Sequence, residues 1–181
     1  MEQRLSRHLY YLEMAKAASM RSTCINKRWG AIIVKDDAIL STGYNGAPRG
    51  RKNCSDLGRC YRLEARVPRG TRYELCRSVH AEANAIINAS RHDMVHSTMY
   101  LYGWDVVYND MVKNPNSCMM CKRMIINAGI TSVIVADRNG VGVDSAVGYG
   151  YRVYKVADWV KEEDVQWPDV SNTNVNTGTG Y

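Results

Sequence analysis

The sequence predicts an α/β fold, with helices packed on a sheet as a sandwich. Three observations predict it. From residue 79 to 136 the patterns run helix, strand, helix, strand, the order that gives parallel strands joined by a crossover helix. The chain has 181 residues, which suits one domain with a single core. Its 45% hydrophobic and 23% charged residues are ordinary for a globular protein.

Taken in order, His8 to Met20 carries apolar and small residues at helical spacing. The start, Met1 to Lys16, places Glu2, Arg4, Arg7 and Glu13 among its apolar residues, which reads as an amphipathic helix and not as a signal-peptide core. Trp29 to Val34 and Ala38 to Tyr44 read as paired strands around a Lys35-Asp36-Asp37 hairpin turn. Asn45-Gly46-Ala47-Pro48 is turn chemistry. Val79 to Ser90 reads as a helix, Thr98 to Tyr102 as a strand, and Trp104 to Ser117 as a connection without a clear period. Cys118 to Ala128 is helical with Gly129 as its stop, and Thr131 to Ala136 is a strand. Asp158 to Asp164 reads as a short helix. Residues 1–170 form the expected domain. From Ser171 to the end at 181 the chain turns to Asn, Thr and Gly, the composition of a disordered or loosely docked tail.

The net charge is +6. Residues 49 to 77 hold nine Arg or Lys (Arg49, Arg51, Lys52, Arg59, Arg62, Arg66, Arg69, Arg72, Arg77) against Asp56, Glu64 and Glu74, so this one segment carries the whole excess. It reads as a long loop with one short helix. Its charge is either a solvated surface or an attractor for phosphates. No run approaches the roughly 18 consecutive apolar residues of a membrane span. Six cysteines with a C-x-x-C and no secretory signal point to reduced, metal-binding thiols and a cytoplasmic compartment.

The chemistry sits in His80-Ala81-Glu82 and Cys118-Met119-Met120-Cys121. One imidazole and two thiolates make three zinc ligands, which leave a fourth tetrahedral position for water. Cys118 and Cys121, three apart at a helix start, share one face, where unpaired amides and the helix dipole favour thiolate. Glu82, two residues from the ligating histidine, is placed to move protons and is assigned no metal bond. A lone histidine is more often a surface or core residue, and a lone C-x-x-C can be half of a structural zinc site. Both motifs together, each opening a helix ahead of a strand, match the H-x-E…C-x-x-C signature of zinc nucleobase deaminases.

Ser22-Thr23-Cys24, Trp29 to Val34, Thr42-Gly43-Tyr44-Asn45-Gly46-Ala47-Pro48-Arg49-Gly50, His80 to Ile86 and Cys118 to Ile130 closely resemble the deoxycytidylate (dCMP) deaminase family, in its bacterial and phage forms. The resemblance runs from about residue 8 to 136. It implies a three-layer α/β/α sandwich of the cytidine deaminase-like kind, with a mixed central sheet of about five strands. It implies zinc-dependent hydrolysis of dCMP to dUMP and ammonia, feeding thymidylate synthesis. It also implies a hexamer, activated by dCTP and inhibited by dTTP, with magnesium accompanying the triphosphate. By the family pattern Asn45 contacts the substrate's sugar; as a residue it is equally a turn position that tolerates positive φ. Gly46, Pro48, Arg49 and Gly50 in the same turn are the candidate contacts for nucleotide phosphates, including an effector's. Cys24, Cys54, Cys60 and Cys76 match positions where relatives carry cysteine, and are either a second, structural zinc site or four independent reduced thiols.

The chain departs from the family at three places. Ser117, not proline, precedes Cys118. The connection from Leu101 to Cys118 is long, and its Trp104, Tyr108 or Met111 caps the pocket, extends a subunit contact or sits in a surface insertion. Asp137-Arg138-Asn139-Gly140 stands where relatives place a base-stacking aromatic, with Tyr149 or Tyr151 as substitutes. Two other functions compete. A deaminase of nucleic acid, such as a tRNA adenosine deaminase, fits the pI of about 9.0, although the turn motif favours mononucleotides. A zinc-organised binding module would leave Glu82 without chemistry.

Overall fold

The computed structural model describes residues 4–68 and 70–161. The first helix, α1 (Arg7–Ser19), starts where the Ser6 hydroxyl accepts a hydrogen bond from the Leu9 amide. Strands β1 (Lys27–Lys35) and β2 (Ala38–Tyr44) form the expected hairpin. Asp36 and Asp37 both take positive φ (48° and 65°), the conformation that a two-residue turn needs to match strand twist.

The basic segment contains more structure than the one helix expected of it: α2 (Cys54–Leu57), α3 (Tyr61–Glu64) and a 3-10 turn, Tyr73–Leu75. All are single turns, too short for a hydrophobic period to show in the sequence. The helix expected over 79–90 divides into α4 (Ala81–Ile87) and α5 (Arg91–Met94). Next come β3 (Thr98–Asp105) and the two-residue β4 (Asp110–Met111), which folds back on it. Helix α6 (Met119–Ala128) ends at Gly129 with φ 78°, the left-handed cap expected there. Then follow β5 (Ser132–Asp137), β6 (Val141–Asp144), β7 (Tyr149–Lys155) and α7 (Val156–Lys161). The rest of the expected 158–164 helix, and the polar 171–181 segment, lie outside the described residues.

The sheet is mixed and wider than the five or so strands expected. Its order is β2-β1-β3-β5-β7-β6, with β4 paired to β3. The additions are β4 and the β6–β7 hairpin, which extends the sheet antiparallel beyond β5. Side chains alternate by face. Ile32, Val34, Tyr100, Tyr102, Ile134 and Ala136 face α1. Ala31, Ile33, Met99, Leu101, Val133 and Val135 face α4, α6 and α7. The result is a three-layer α/β/α sandwich.

Topology explains where the site forms. β2 and β3 are both antiparallel to β1 between them, so they run the same way, and α4 connects them. β3 and β5 are parallel neighbours connected by α6. Both crossovers step in one direction across the sheet, so the right-handed rule puts α4 and α6 on the same face. Each helix begins beyond the end of its preceding strand, at the edge where open α/β sheets build their sites.

Candidate metal centre and catalytic pocket

His80 and Cys118 occupy equivalent places, each the N-terminal flanking residue of its helix with extended backbone (φ −71° and −70°). The Cys118 sulfur takes a capping position and accepts from the Cys121 amide at 3.5 Å. His80 Nδ1 lies 3.5 Å from the Cys118 sulfur and 3.4 Å from the Cys121 sulfur, and the three ligand atoms are within 4.8 Å of one another. Zinc–nitrogen and zinc–sulfur bonds of about 2.05 and 2.3 Å at a tetrahedral angle demand an N–S edge of about 3.5 Å. The donor set and its spacing therefore fit a zinc ion bound through Nδ1. Among the described residues no other group of three ligating side chains is so placed.

Protons and a cation compete for the same lone pairs here. Burial lowers the His80 pKa, but the neighbouring Cys118 and Cys76 sulfurs and the Glu82 carboxylate outweigh it and hold the imidazole at about 10. The hydrogen bond from Cys121 and the nearby His80 ring, against the cost of burial, hold Cys118 at about 4, as thiolate. Cys121, bonded to that thiolate and buried, is pushed strongly up. Metal binding displaces the protons that these groups share.

Glu82, 6% exposed, sits in the first turn of α4 beside His80. Burial raises its pKa above the ordinary carboxylate value, opposed by the His80 charge. Ser117, which precedes Cys118, is buried, and its hydroxyl is among the groups that pull the Glu82 pKa back down.

The centre forms the floor of a cavity of about 340 Å³. Its wall includes Trp29, Asn45, Arg62, Tyr73, Asp105 and Tyr108. The Asn45 carboxamide is heavily engaged. Its oxygen accepts from the Trp29 amide at 2.7 Å and the Ser22 hydroxyl at 2.6 Å, and its nitrogen donates to the Lys27 carbonyl at 2.8 Å. Asn45 is not among the described residues with positive φ, so these bonds, not turn geometry, account for an asparagine there. Gly46 pairs with Val79 through two backbone hydrogen bonds of 3.2 and 2.8 Å, which fix the strand-like approach to His80. Pro48, Arg49 and Gly50 are exposed and stand outside the cavity wall.

Of the long connection, Tyr108 reaches the cavity rim, while Trp104 and Met111 pack in the apolar layer under α1. Tyr149 and Tyr151 also lie on that opposite face, Tyr149 donating to Glu13 at 2.5 Å and Tyr151 packing edge-on against His8. Neither can stack on a base at the metal centre. Strand alternation aims β7's odd positions away from the helices that carry the ligands. Arg62, Tyr73 and Asp105 were not among the candidates that spacing identified, because loop contacts and strand ends leave no periodic signal.

Cys24, Cys60 and Cys76 also line the cavity, and Cys54 is buried. Burial first, and then the nearby thiols, push up the pKa values of Cys24 and Cys54. Cys76 is held low, against burial, by its hydrogen bond with His80. The four thiols thus share one neighbourhood around the loop.

With this geometry in place, comparison with known proteins identifies the family. The model of the cytidine and deoxycytidylate deaminase zinc-binding region matches residues 5–137. The chain belongs to that family. Deoxycytidylate deaminase of Mycobacterium phage D29 is 37% identical over 129 residues, covering 69% of this chain and 90% of that protein. Deoxycytidylate deaminase of Schizosaccharomyces pombe is 33% identical over 125 residues, covering 69% of this chain but only 35% of the yeast protein. The crystal structure of cytidine deaminase from Burkholderia pseudomallei shares the fold at a TM-score of 0.51 and 19% identity, covering 84% of this chain and 95% of that one. The family is zinc-binding, and among the described residues His80, Cys118 and Cys121 are the group placed to hold such an ion. No described helix is long and apolar enough to cross a membrane.

Proposed function

We propose that this protein hydrolyses dCMP to dUMP and ammonia, supplying dUMP for thymidylate synthesis. The observation that carries the reading is the His80–Cys118–Cys121 ligand set with a buried Glu82 beside it, on the floor of a cavity of one-nucleotide size. Zinc, when bound, supplies Lewis acidity that lowers the pKa of a coordinated water to around 7. The residues do the remainder. His80, Cys118 and Cys121 hold the cation. Glu82 takes a proton from the attacking water and delivers it to ring N3; it then takes the second proton, from the new C4 hydroxyl, and delivers it to the amine, which leaves as ammonia as the C4 carbonyl forms. Oxygen is gained at C4 and nitrogen lost there, so water and dCMP balance dUMP and ammonia. The Asn45 carboxamide, with one N–H beyond its protein bonds, is placed to meet the sugar.

The site works in the cytoplasm, in a single domain over residues 1–170 with a polar 171–181 tail, as a homo-oligomer and by family pattern a hexamer. The turn residues Gly46, which is buried, and Pro48, Arg49 and Gly50, which are exposed, are assigned to a triphosphate effector, dCTP as activator or dTTP as inhibitor, carrying Mg²⁺. Cys24, Cys54, Cys60 and Cys76 are assigned, by family pattern, to a second, structural zinc, which has to draw their sulfurs together, since no three of them lie as close as the His80 group does. Metal analysis of purified protein then gives close to two zinc ions per chain, and a value of one removes the second site.

Several basic-loop cations are already engaged. Arg59 pairs with Glu64, Arg72 with Glu74, and Arg77 donates to the Lys52 carbonyl. This favours a mononucleotide over a polyanionic nucleic acid. The test is ammonia release from dCMP, deoxycytidine, CMP and a tRNA panel, each with and without dCTP and magnesium. dCMP is expected to lead. Activity confined to tRNA would establish the nucleic-acid alternative, and none on any substrate the binding-module alternative.

A further inference from the structure

Apart from the His80 ligand itself, the described residues of the cavity wall include two cationic side chains, Lys27 and Arg62. Lys27 is neutralised: its ammonium lies 2.6 Å from the buried Asp105 carboxylate, which also lines the cavity. Arg62, on α3, has no carboxylate partner among the described residues. Its guanidinium donates to the Pro68 carbonyl at 3.1 Å and the Arg72 carbonyl at 3.5 Å, and lies 4.4 Å from the centre of the Tyr73 ring. That leaves most of its five N–H donors for a ligand. Tyr73 in turn stands edge-on to His80, ring centres 4.9 Å apart at 87°. The two contacts in series place Arg62, Tyr73 and the ligating His80 along one wall of the same cavity.

We propose that Arg62, fixed by Tyr73 and two loop carbonyls, is the specificity-determining residue that binds the substrate's 5′-phosphate. The inference rests on the dCMP reading and moves phosphate recognition from the Asn45–Gly50 turn to the far side of the loop. A guanidinium offers a planar fork that matches two phosphate oxygens, and one already stacked and hydrogen-bonded loses little freedom on binding. Apart from the paired Asp105, the only carboxylate among the described residues of the cavity wall is Glu82, which lies beside the metal ligands. A phosphate on the Arg62 side therefore meets one unpaired positive charge. Tyr73 is a positioning residue: its face holds the guanidinium and its edge meets the imidazole.

The experiment measures kcat/KM for dCMP and for deoxycytidine in zinc-loaded wild type, Arg62→Gln, Arg62→Lys, Tyr73→Phe and Tyr73→Leu. Arg62→Gln is expected to lower the dCMP-to-deoxycytidine preference at least about tenfold, mainly through KM for dCMP. Arg62→Lys, which keeps charge but loses the fork, falls between. Tyr73→Leu, which removes the ring that holds the guanidinium, loses part of the preference, and Tyr73→Phe, which keeps the ring, loses less than Tyr73→Leu. Circular dichroism and zinc content report whether each variant is folded. Wild type active on dCMP with an unchanged preference in folded Arg62→Gln overturns the inference alone, as does an equal loss on both substrates. Wild type that prefers deoxycytidine to dCMP overturns the dCMP reading and this inference with it.

Discussion

Glu82 has an environment suited to moving protons. It is almost out of water, its carboxyl is raised by burial, and the neighbouring His80 charge limits how far it rises. A carboxyl nearer neutrality both accepts and returns a proton more readily than a solvated one. Replacing Glu82 by Gln keeps the shape and removes the shuttle. Turnover of dCMP should fall by about 10² to 10⁴-fold while zinc content and the unfolding midpoint stay near wild type. Stopped-time ammonia assays beside metal analysis check it, and unchanged turnover would end the assigned role. At this scale the sequence is informative where chemistry forces spacing. His80, Glu82, Cys118 and Cys121 are legible because ligands at helix starts must recur at fixed intervals. Asn45 is legible as a site residue, but its three side-chain hydrogen bonds to Ser22, Trp29 and Lys27 are not, since they join segments 16 or more residues apart. Arg62 is legible only as one of nine basic residues in a segment that could attract phosphates, and Tyr73 not at all, because their places in the cavity wall arise from how an irregular loop folds.

The position of α4 sets the position of His80, and a glycine sets the position of α4. A methyl group at Gly43 on β2 would overlap the Ala81 carbonyl and the Ala85 amide, so the helix lies directly on the strand backbone. Gly30 on β1 does the same for α1 at Ala15 and Ser19. Gly43→Ala should therefore cost about 3 kcal/mol in denaturant unfolding and weaken zinc retention, because the helix must lift. Thr42→Ala, at the exposed neighbouring position, should cost under about 1 kcal/mol. Equal stabilities for the two would refute this account of the crossing. The far ends of β1 and β3 are tied by Lys27 and Asp105. Burial disfavours the Asp105 carboxylate, but the Lys27 ammonium and the Tyr108 and Val107 amides prevail, so its pKa lies below the usual 3.8. A depressed folded-state pKa adds stability above the unfolded value, and that stability is lost as pH falls from about 4 through the lower folded value. Asp105→Asn should thus cost about 1 to 3 kcal/mol at pH 7 and flatten the acid limb of a stability–pH curve. An acid limb as steep as wild type would exclude Asp105 as its source. The central elements are legible in the sequence because their apolar runs and turn residues agree, as at Asp36-Asp37. The β6–β7 hairpin is not, because exposed Val141, Val143 and Val153 sit among glycines and charged residues with no buried stripe to reveal them.

Across the whole molecule, the two faces of the sheet are held differently. Under α1 the layer is filled by large side chains, among them Leu9, Leu12, Tyr100, Tyr102 and Tyr149. On the other face α4 contributes chiefly Ala81 and Ala85 to the core, and at seven residues it is too short to persist by its own hydrogen bonds. Methyl groups bury little area, so packing alone fixes α4 weakly against α6. The zinc site joins the starts of these two helices through one ligand from α4 and two from α6, and its binding energy adds to folding stability. Free zinc at about 100 times its dissociation constant contributes about 2.7 kcal/mol, which in a domain of this size corresponds to a shift in Tm on the order of 10 °C. Chelation should therefore lower Tm by about that amount, and added zinc should restore it. The α1 layer contains no ligand, so the far-UV circular dichroism of the chelated protein below its transition should remain close to that of the zinc form. Hydrogen exchange should locate the difference, with amides of α4 and the first turn of α6 losing protection and those of β1, β3 and β5 retaining it. A chelated protein with verified zinc loss and an unchanged Tm would mean that packing alone fixes α4, contrary to what its small core side chains imply.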